Sequence, residues 1–123
     1  MLKPRHSRFH RILSFKYAFE GLYAAFKEEP NLKFHFFFAL LVITAGFYFQ
    51  ISSLDWIFII IMTGLVLTLE LTNTAIEAIV DSFTPEQHPR AKYAKDIGAA
   101  AVLITAISAS IVGIIIFLPY LRF

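Results

Sequence analysis

Residues 56–81 read WIFIIIMTGLVLTLELTNTAIEAIVD, and this run decides the fold. Its first fourteen positions carry no charge. A spanning helix needs roughly 17–25 apolar residues, so the run completes a membrane span only by continuing through Glu70 to Glu77. Glu70, Asn73, Glu77 and Asp81 follow one another at +3, +4 and +4. At roughly 100° per residue these four positions occupy an arc of about 80° on one helix face. With Trp56 at one interface and a rise of about 1.5 Å per residue, Glu70 lies roughly 21 Å along the helix and Glu77 roughly 31 Å. The hydrocarbon core is about 30 Å thick, so the ladder crosses the far interface with Glu70 just inside it. An acidic side chain within a span is costly and is by default a functional residue.

Two more uncharged stretches flank this one, residues 36–54 and 97–121. The expected architecture is therefore all-α and integral to the membrane, with spans at about 34–50, 55–81 and 95–119. Helices are required because an open sheet leaves its backbone unsatisfied in lipid. The composition of the 123-residue chain agrees: 58% of residues are hydrophobic and only 16% are charged, against about 25% in a soluble domain. Disorder, collagen-like repeats and an ordinary soluble fold are excluded, and the length allows a single domain over residues 1–123. The absence of Cys excludes disulfides, zinc–thiolate sites and Cys nucleophiles.

Lys3, Arg5, Arg8, Arg11, Lys16, Lys27 and Lys33 precede the first span, and Arg90, Lys92 and Lys95 lie between the second and third. The connection between the first two spans has no Lys or Arg, and the C-terminal tail has only Arg122. The positive-inside rule then puts the N-terminus in the cytoplasm and the C-terminus outside. Trp56 and Tyr120 fit as anchors at the outer interface, and Asp55 is expected to cap the second span. Before the first span, Ile12, Phe15, Phe19, Leu22, Tyr23 and Phe26 recur at helical spacing. Residues of about 9–29 read as an amphipathic helix on the inner membrane surface, ended by Pro30.

Glu28, Glu29, Lys95 and Asp96 collect at the same cytoplasmic level as the ladder. The bland reading makes Glu77 and Asp81 the point where the helix leaves the membrane, and Glu70 one half of a structural ion pair with Lys95. It makes Asn73 an interhelical hydrogen bond, His35 and His88 interfacial side chains, and Gly98-Ala99-Ala100-Ala101 a close helix contact. The functional reading is divalent-metal binding. Mg²⁺ takes hard oxygen ligands, usually one or two carboxylates plus phosphate oxygens, and phosphoryl transfer needs positioning and charge neutralisation above all. A carboxylate at the lipid boundary can also take a proton from a lipid hydroxyl. Proton or cation conduction, or an accessory subunit, uses similar residues. There is no phosphate-binding G-x-x-x-x-G-K-[ST] loop, no G-x-G-x-x-G fingerprint and no H-E-x-x-H helix.

Residues 70–81, ELTNTAIEAIVD, resemble the signature E-x-x-N-[ST]-A-I-E-x-x-[VI]-D of the small bacterial integral-membrane diacylglycerol kinase and undecaprenol kinase family. Residues 94–102, AKDIGAAAV, resemble its second motif, A-K-D-x-[GA]-[SA]-A-A-V, and residues 14–22, SFKYAFEGL, resemble its surface helix. The likeness covers about residues 11–118. It implies a homotrimeric helical bundle in the bacterial inner membrane, with composite sites between subunits at the cytoplasmic interface. The implied activity is transfer of the γ-phosphate of Mg·ATP to the primary hydroxyl of a membrane lipid, with ATP the default over GTP and no nucleic-acid partner.

By the same resemblance, Glu29 and Glu77 hold the metal and Glu70 is the base for the lipid hydroxyl. Asn73 supports metal and phosphate, Lys95 and Asp96 contact the nucleotide, and Glu86 and His88 form the E-x-H turn near the adenosine. Tyr17 matches an aromatic at the nucleotide. Arg11 and Arg8 are both candidates for a phosphate-binding Arg. Asp81 matches a motif acid with a structural role. Ala99 replaces a Ser of the diacylglycerol kinase branch, and with the S-F-x-Y-A-F-x-G-L start this favours undecaprenol as the lipid.

Overall fold

The computed structural model describes residues 8–85 and 87–122, with Arg8 and Phe9 by backbone alone. The described residues form four α-helices: α1 (Arg8–Glu28), α2 (Pro30–Phe49), α3 (Ser53–Phe83) and α4 (Pro89–Phe117), then a 3₁₀ turn at Leu118–Leu121. Three helices are long and apolar enough to cross a membrane: Pro30–Phe49, Ser53–Phe83 and, with the 3₁₀ turn, Pro89–Leu121. The chain is a multi-pass membrane protein. Large apolar side chains such as Phe37, Ile60, Ile104 and Ile115 stand exposed along the helices, a surface that is favourable in lipid and not in water.

The helices start earlier than the apolar runs do. Pro30 and Pro89 sit in the first turns of α2 and α4, where a fixed φ and a missing N–H cost nothing. The α4 start is capped by His88, whose Nδ1 accepts from the Arg90 N–H at 3.1 Å. Lys92, Lys95 and Asp96 are therefore on the first turns of a helix rather than at or before its start. A 31-residue α3 is about 46 Å long, so its C-terminal turns extend past a core of about 30 Å. The cap of α3 also differs from expectation. Ser52 is the N-cap and its hydroxyl accepts from the Asp55 N–H at 3.1 Å, with Asp55 inside the first turn. A hydroxyl one residue before the helix reaches that amide, whereas the carboxylate at Asp55 complements the helix dipole.

α3 is the central element, packed along α4 and against α2. Its two ends differ. At the aromatic end, Ile51, Ile59 and Ile116 are buried together, with Val42, Phe49, Trp56, Val112 and Phe117 around them. Here α2 and α3 come close because Gly46 has no side chain: a Cβ there would lie 2.7 Å from the Trp56 ring. The turn between them needs Gln50 in the left-handed region, φ 51°, which closes α2 through Gln50 and Ile51 N–H groups bonded to Phe47 and Gly46 carbonyls. The hydroxyls of Thr44, Thr105, Ser108 and Ser110 bond back to carbonyls four residues earlier at 2.7–2.9 Å, which satisfies them inside an apolar medium. At the other, acidic end, Leu32 is fully buried and Val66 and Val102 are buried as well.

α1 joins the bundle lightly, through an edge-to-face contact of Phe26 and Phe36 at 5.4 Å between centroids. Its Ile12, Phe15, Phe19 and Tyr23 are exposed. Lys16 pairs with Glu20 at 3.9 Å, and the Lys27 ammonium lies over the Tyr23 ring.

Candidate active site

α3 carries its ladder inward. Glu70 is 4% exposed and Asn73 8%, and they are the only charged or polar side chains in the buried class among the described residues. Helical spacing continues their face from Ile59 and Val66, so the stripe that packs the aromatic end becomes the acid stripe at the acidic end. The Asn73 amide donates to Glu77 Oε1 at 3.3 Å, one helical turn along. Its own carbonyl oxygen, Oδ1, is buried without a hydrogen-bond partner and lies against Gly98 of α4, in the space where a Cβ would stand. The small-residue run at Gly98 is thus a close helix contact, and the group it admits is Asn73.

Glu70 is not paired with Lys95. Its Oε2 is 3.7 Å from His35 Nε2 on α2. Of the other acids, Glu77 follows on the same face of α3 and Glu29 is the N-cap residue of α2. Lys95 donates instead to Asp81 at 2.8 Å, tying α4 to the end of α3. Asp96 accepts from Lys92 at 2.6 Å on the exposed face of α4.

The remaining expected residues stand apart. Arg11 and Tyr17 are exposed on α1, and among the described residues no hydrogen bond or ion pair joins them to the ladder. His88 is exposed and serves as the α4 cap. Ala99 is exposed beside Gly98. Glu86, and the side chain of Arg8, lie outside the described residues. His35 is the site residue that sequence reasoning missed. The sequence makes it an interfacial side chain, and its only signal is a single titratable group placed just inside the start of a spanning helix.

Among the described residues no three of His, Cys, Asp and Glu form a metal-holding group. A two-carboxylate site completed by phosphate oxygens does not need one, and the orphaned Asn73 Oδ1 adds a hard oxygen of the right kind. The residues present fit Mg²⁺ in that form. A groove of about 530 Å³ runs beside the site, walled by α2, α3 and α4 and almost wholly apolar. Phe34, Phe38, Val66 and Phe117 line it, and His35 is among its polar lining groups.

A multi-pass membrane protein with a carboxylate and an amide buried at one end of its bundle, near an apolar groove, is the class that this geometry defines. Residues 16–117 match the family described as prokaryotic diacylglycerol kinase, and the chain belongs to that family. It is 42% identical over 108 residues to the undecaprenol kinase of Bacillus subtilis, covering 88% of each chain. It is 38% identical over 106 residues to the diacylglycerol kinase of Haemophilus influenzae, covering 86% of this chain and 87% of the relative. The diacylglycerol kinase of Escherichia coli is 35% identical over 95 residues, covering 77% of this chain and 78% of the relative. As a member of this family the chain is a membrane lipid kinase.

Proposed function

We propose that the protein transfers the γ-phosphate of Mg·ATP to the primary hydroxyl of undecaprenol, with diacylglycerol as the second lipid it accepts. The observation that carries this reading is the burial of Glu70 and Asn73 on one face of a spanning helix, with Glu70 beside His35 of the apolar groove. Burying a carboxylate costs several kcal/mol, a cost without structural return unless the group does chemistry there.

The lipid chain occupies the groove and brings its hydroxyl to Glu70. Glu70 accepts the hydroxyl proton as the lipid oxygen bonds to the γ-phosphorus and the bond to the bridging oxygen of ADP breaks. Glu29 and Glu77 are the residues that would hold Mg²⁺, with Asn73 orienting Glu77 through its amide. When bound, the ion neutralises charge on the transferring phosphate. Lys95 and Asp96 contact the nucleotide, and their present partners Asp81 and Lys92 hold them in place until it arrives. Arg11 or Arg8, with Tyr17, reaches the phosphates, and Glu86 and His88 face the adenosine.

Arg11 and Tyr17 stand away from the ladder of their own chain, which supports a homotrimer with sites shared between subunits. Three helices alone also cannot enclose both a nucleotide and a lipid. α1 lies on the cytoplasmic surface of the bacterial inner membrane as an amphipathic helix, with the C-terminus outside. The preference for undecaprenol is supported by Ala99, by the start of α1 and by the likeness to the Bacillus subtilis undecaprenol kinase. The test is a labelled-phosphate assay on purified protein in mixed micelles with Mg·ATP, comparing the two lipids. We expect faster transfer to undecaprenol, and a loss of at least about 100-fold in Glu77→Gln with assembly retained. Faster transfer to diacylglycerol reverses the lipid assignment, and a fully active Glu77→Gln protein removes Glu77 from the metal site.

A further inference from the structure

We propose that His35 is a positioning residue for phosphoryl transfer: it holds the Glu70 carboxylate so that one oxygen stays free for the lipid hydroxyl. The inference rests on the function proposed above and extends it to a residue that the ladder does not contain. His35 Nε2 lies 3.7 Å from Glu70 Oε2, and the two side chains are 16% and 5% exposed. A carboxylate buried to that degree needs a donor or a cation, and the neighbours available are few. Among the described residues the hydrogen bonds of the Asn73 amide and the Lys95 ammonium go to Glu77 and Asp81. The other charged groups acting on Glu70, Glu77 and Glu29, are carboxylates and cannot serve.

His35 is the remaining group, and it comes from a different helix. Its ring stands edge-on to Phe34, with centroids 5.7 Å apart. Its other side lines the apolar groove next to Phe38, Val66 and Leu67. A hydroxyl carried on a hydrocarbon chain in that groove meets His35 and Glu70 together. The present separation is longer than a hydrogen bond, and such contacts commonly tighten when substrate is bound. With Nε2–H directed at Oε2, the other carboxylate oxygen is left to receive the proton.

The test compares His35→Gln, which retains an N–H donor at similar reach, with His35→Leu, which has none. His35→Phe stands in for His35→Leu if the latter fails to assemble, since it keeps a ring beside Phe34. The wild-type protein and both variants are assayed in mixed micelles with Mg·ATP and undecaprenol or diacylglycerol. For the donor-free variant we expect kcat to fall by about 10–100-fold, the range for a misplaced catalytic group. KM for Mg·ATP should stay within about twofold, because the change removes an interaction used in the transition state and not in nucleotide binding. His35→Gln should recover most of kcat. Wild-type kcat in the donor-free variant overturns the role, and so does an equal loss in His35→Gln. A wild-type protein that phosphorylates neither lipid overturns the proposed function and the role of His35 together. An active wild type with unaffected variants overturns the role of His35 alone.

Discussion

At the aromatic end of the bundle, Gly46 of α2 receives the indole ring of Trp56; at the acidic end, Gly98 of α4 receives the amide of Asn73. Both glycines let α3 approach a neighbour, yet the contacts differ in kind. The first joins an apolar cluster of Ile51, Ile59 and Ile116, in which every buried atom gains dispersion contacts and none loses a hydrogen bond. The second buries an amide oxygen with no partner, three residues along the same helix face from a buried carboxylate. Unpaired buried polar groups cost about 1–3 kcal/mol each. The aromatic end therefore holds the helices together, and the acidic end draws on that stability to keep polar groups buried.

Substitutions separate these roles. The largest effect is expected for Asn73→Leu. The change removes the amide that fills the space at Gly98 and with it the hydrogen bond to Glu77, so kcat in the lipid assay falls by about 10–100-fold. The thermal midpoint in micelles moves little, because a buried amide oxygen without a partner gives way to an apolar group of similar size. Wild-type turnover in Asn73→Leu would break the link between this contact and catalysis. Gly46→Ala should do the reverse. Its methyl meets a large ring and Ile51 Cδ1, at 3.2 Å from the latter, and overpacking of this kind costs about 1–3 kcal/mol. Denaturation in micelles should show that loss, while kcat per folded molecule is unchanged. A Gly46→Ala protein with full stability and poor turnover would erase the distinction between the two ends. The smallest effect belongs to Asp81→Asn, which releases Lys95 from an exposed pair. Exposed pairs contribute little to stability, so the thermal midpoint stays put and only KM for Mg·ATP shifts, by less than about tenfold. A large drop in the thermal midpoint would make the pair a structural clamp instead.

The legible part of the site was the ladder itself. Glu70, Asn73, Glu77 and Asp81 share a helix, and a 3.6-residue period converts their spacing directly into a shared face. Partners across helices were not legible in the same way. Glu70 was open to pairing with Lys95, yet Lys95 reaches Asp81 and Glu70 meets His35. The start of α4 was also hidden, because the apolar run begins after the charged turns that Pro89 and His88 open. Asp55 drew attention as a cap by its charge, although Ser52, one residue before the helix, has the reach to accept its amide.

By itself the sequence determined three helices able to span a membrane and the common face of the acids on the second, because hydropathy and helical period act within one segment and need no knowledge of its neighbours. The motifs at residues 70–81 and 94–102 likewise carried the lipid kinase reading without coordinates. Only the tertiary structure decided which groups face one another across helices. The rotation and register of α2 and α4 on α3 are set by contacts between segments far apart in the chain. Among these are the ring of Trp56 over Gly46 and the amide of Asn73 over Gly98. A shift of one residue turns a helix by about 100°, enough to carry His35 away from Glu70 altogether.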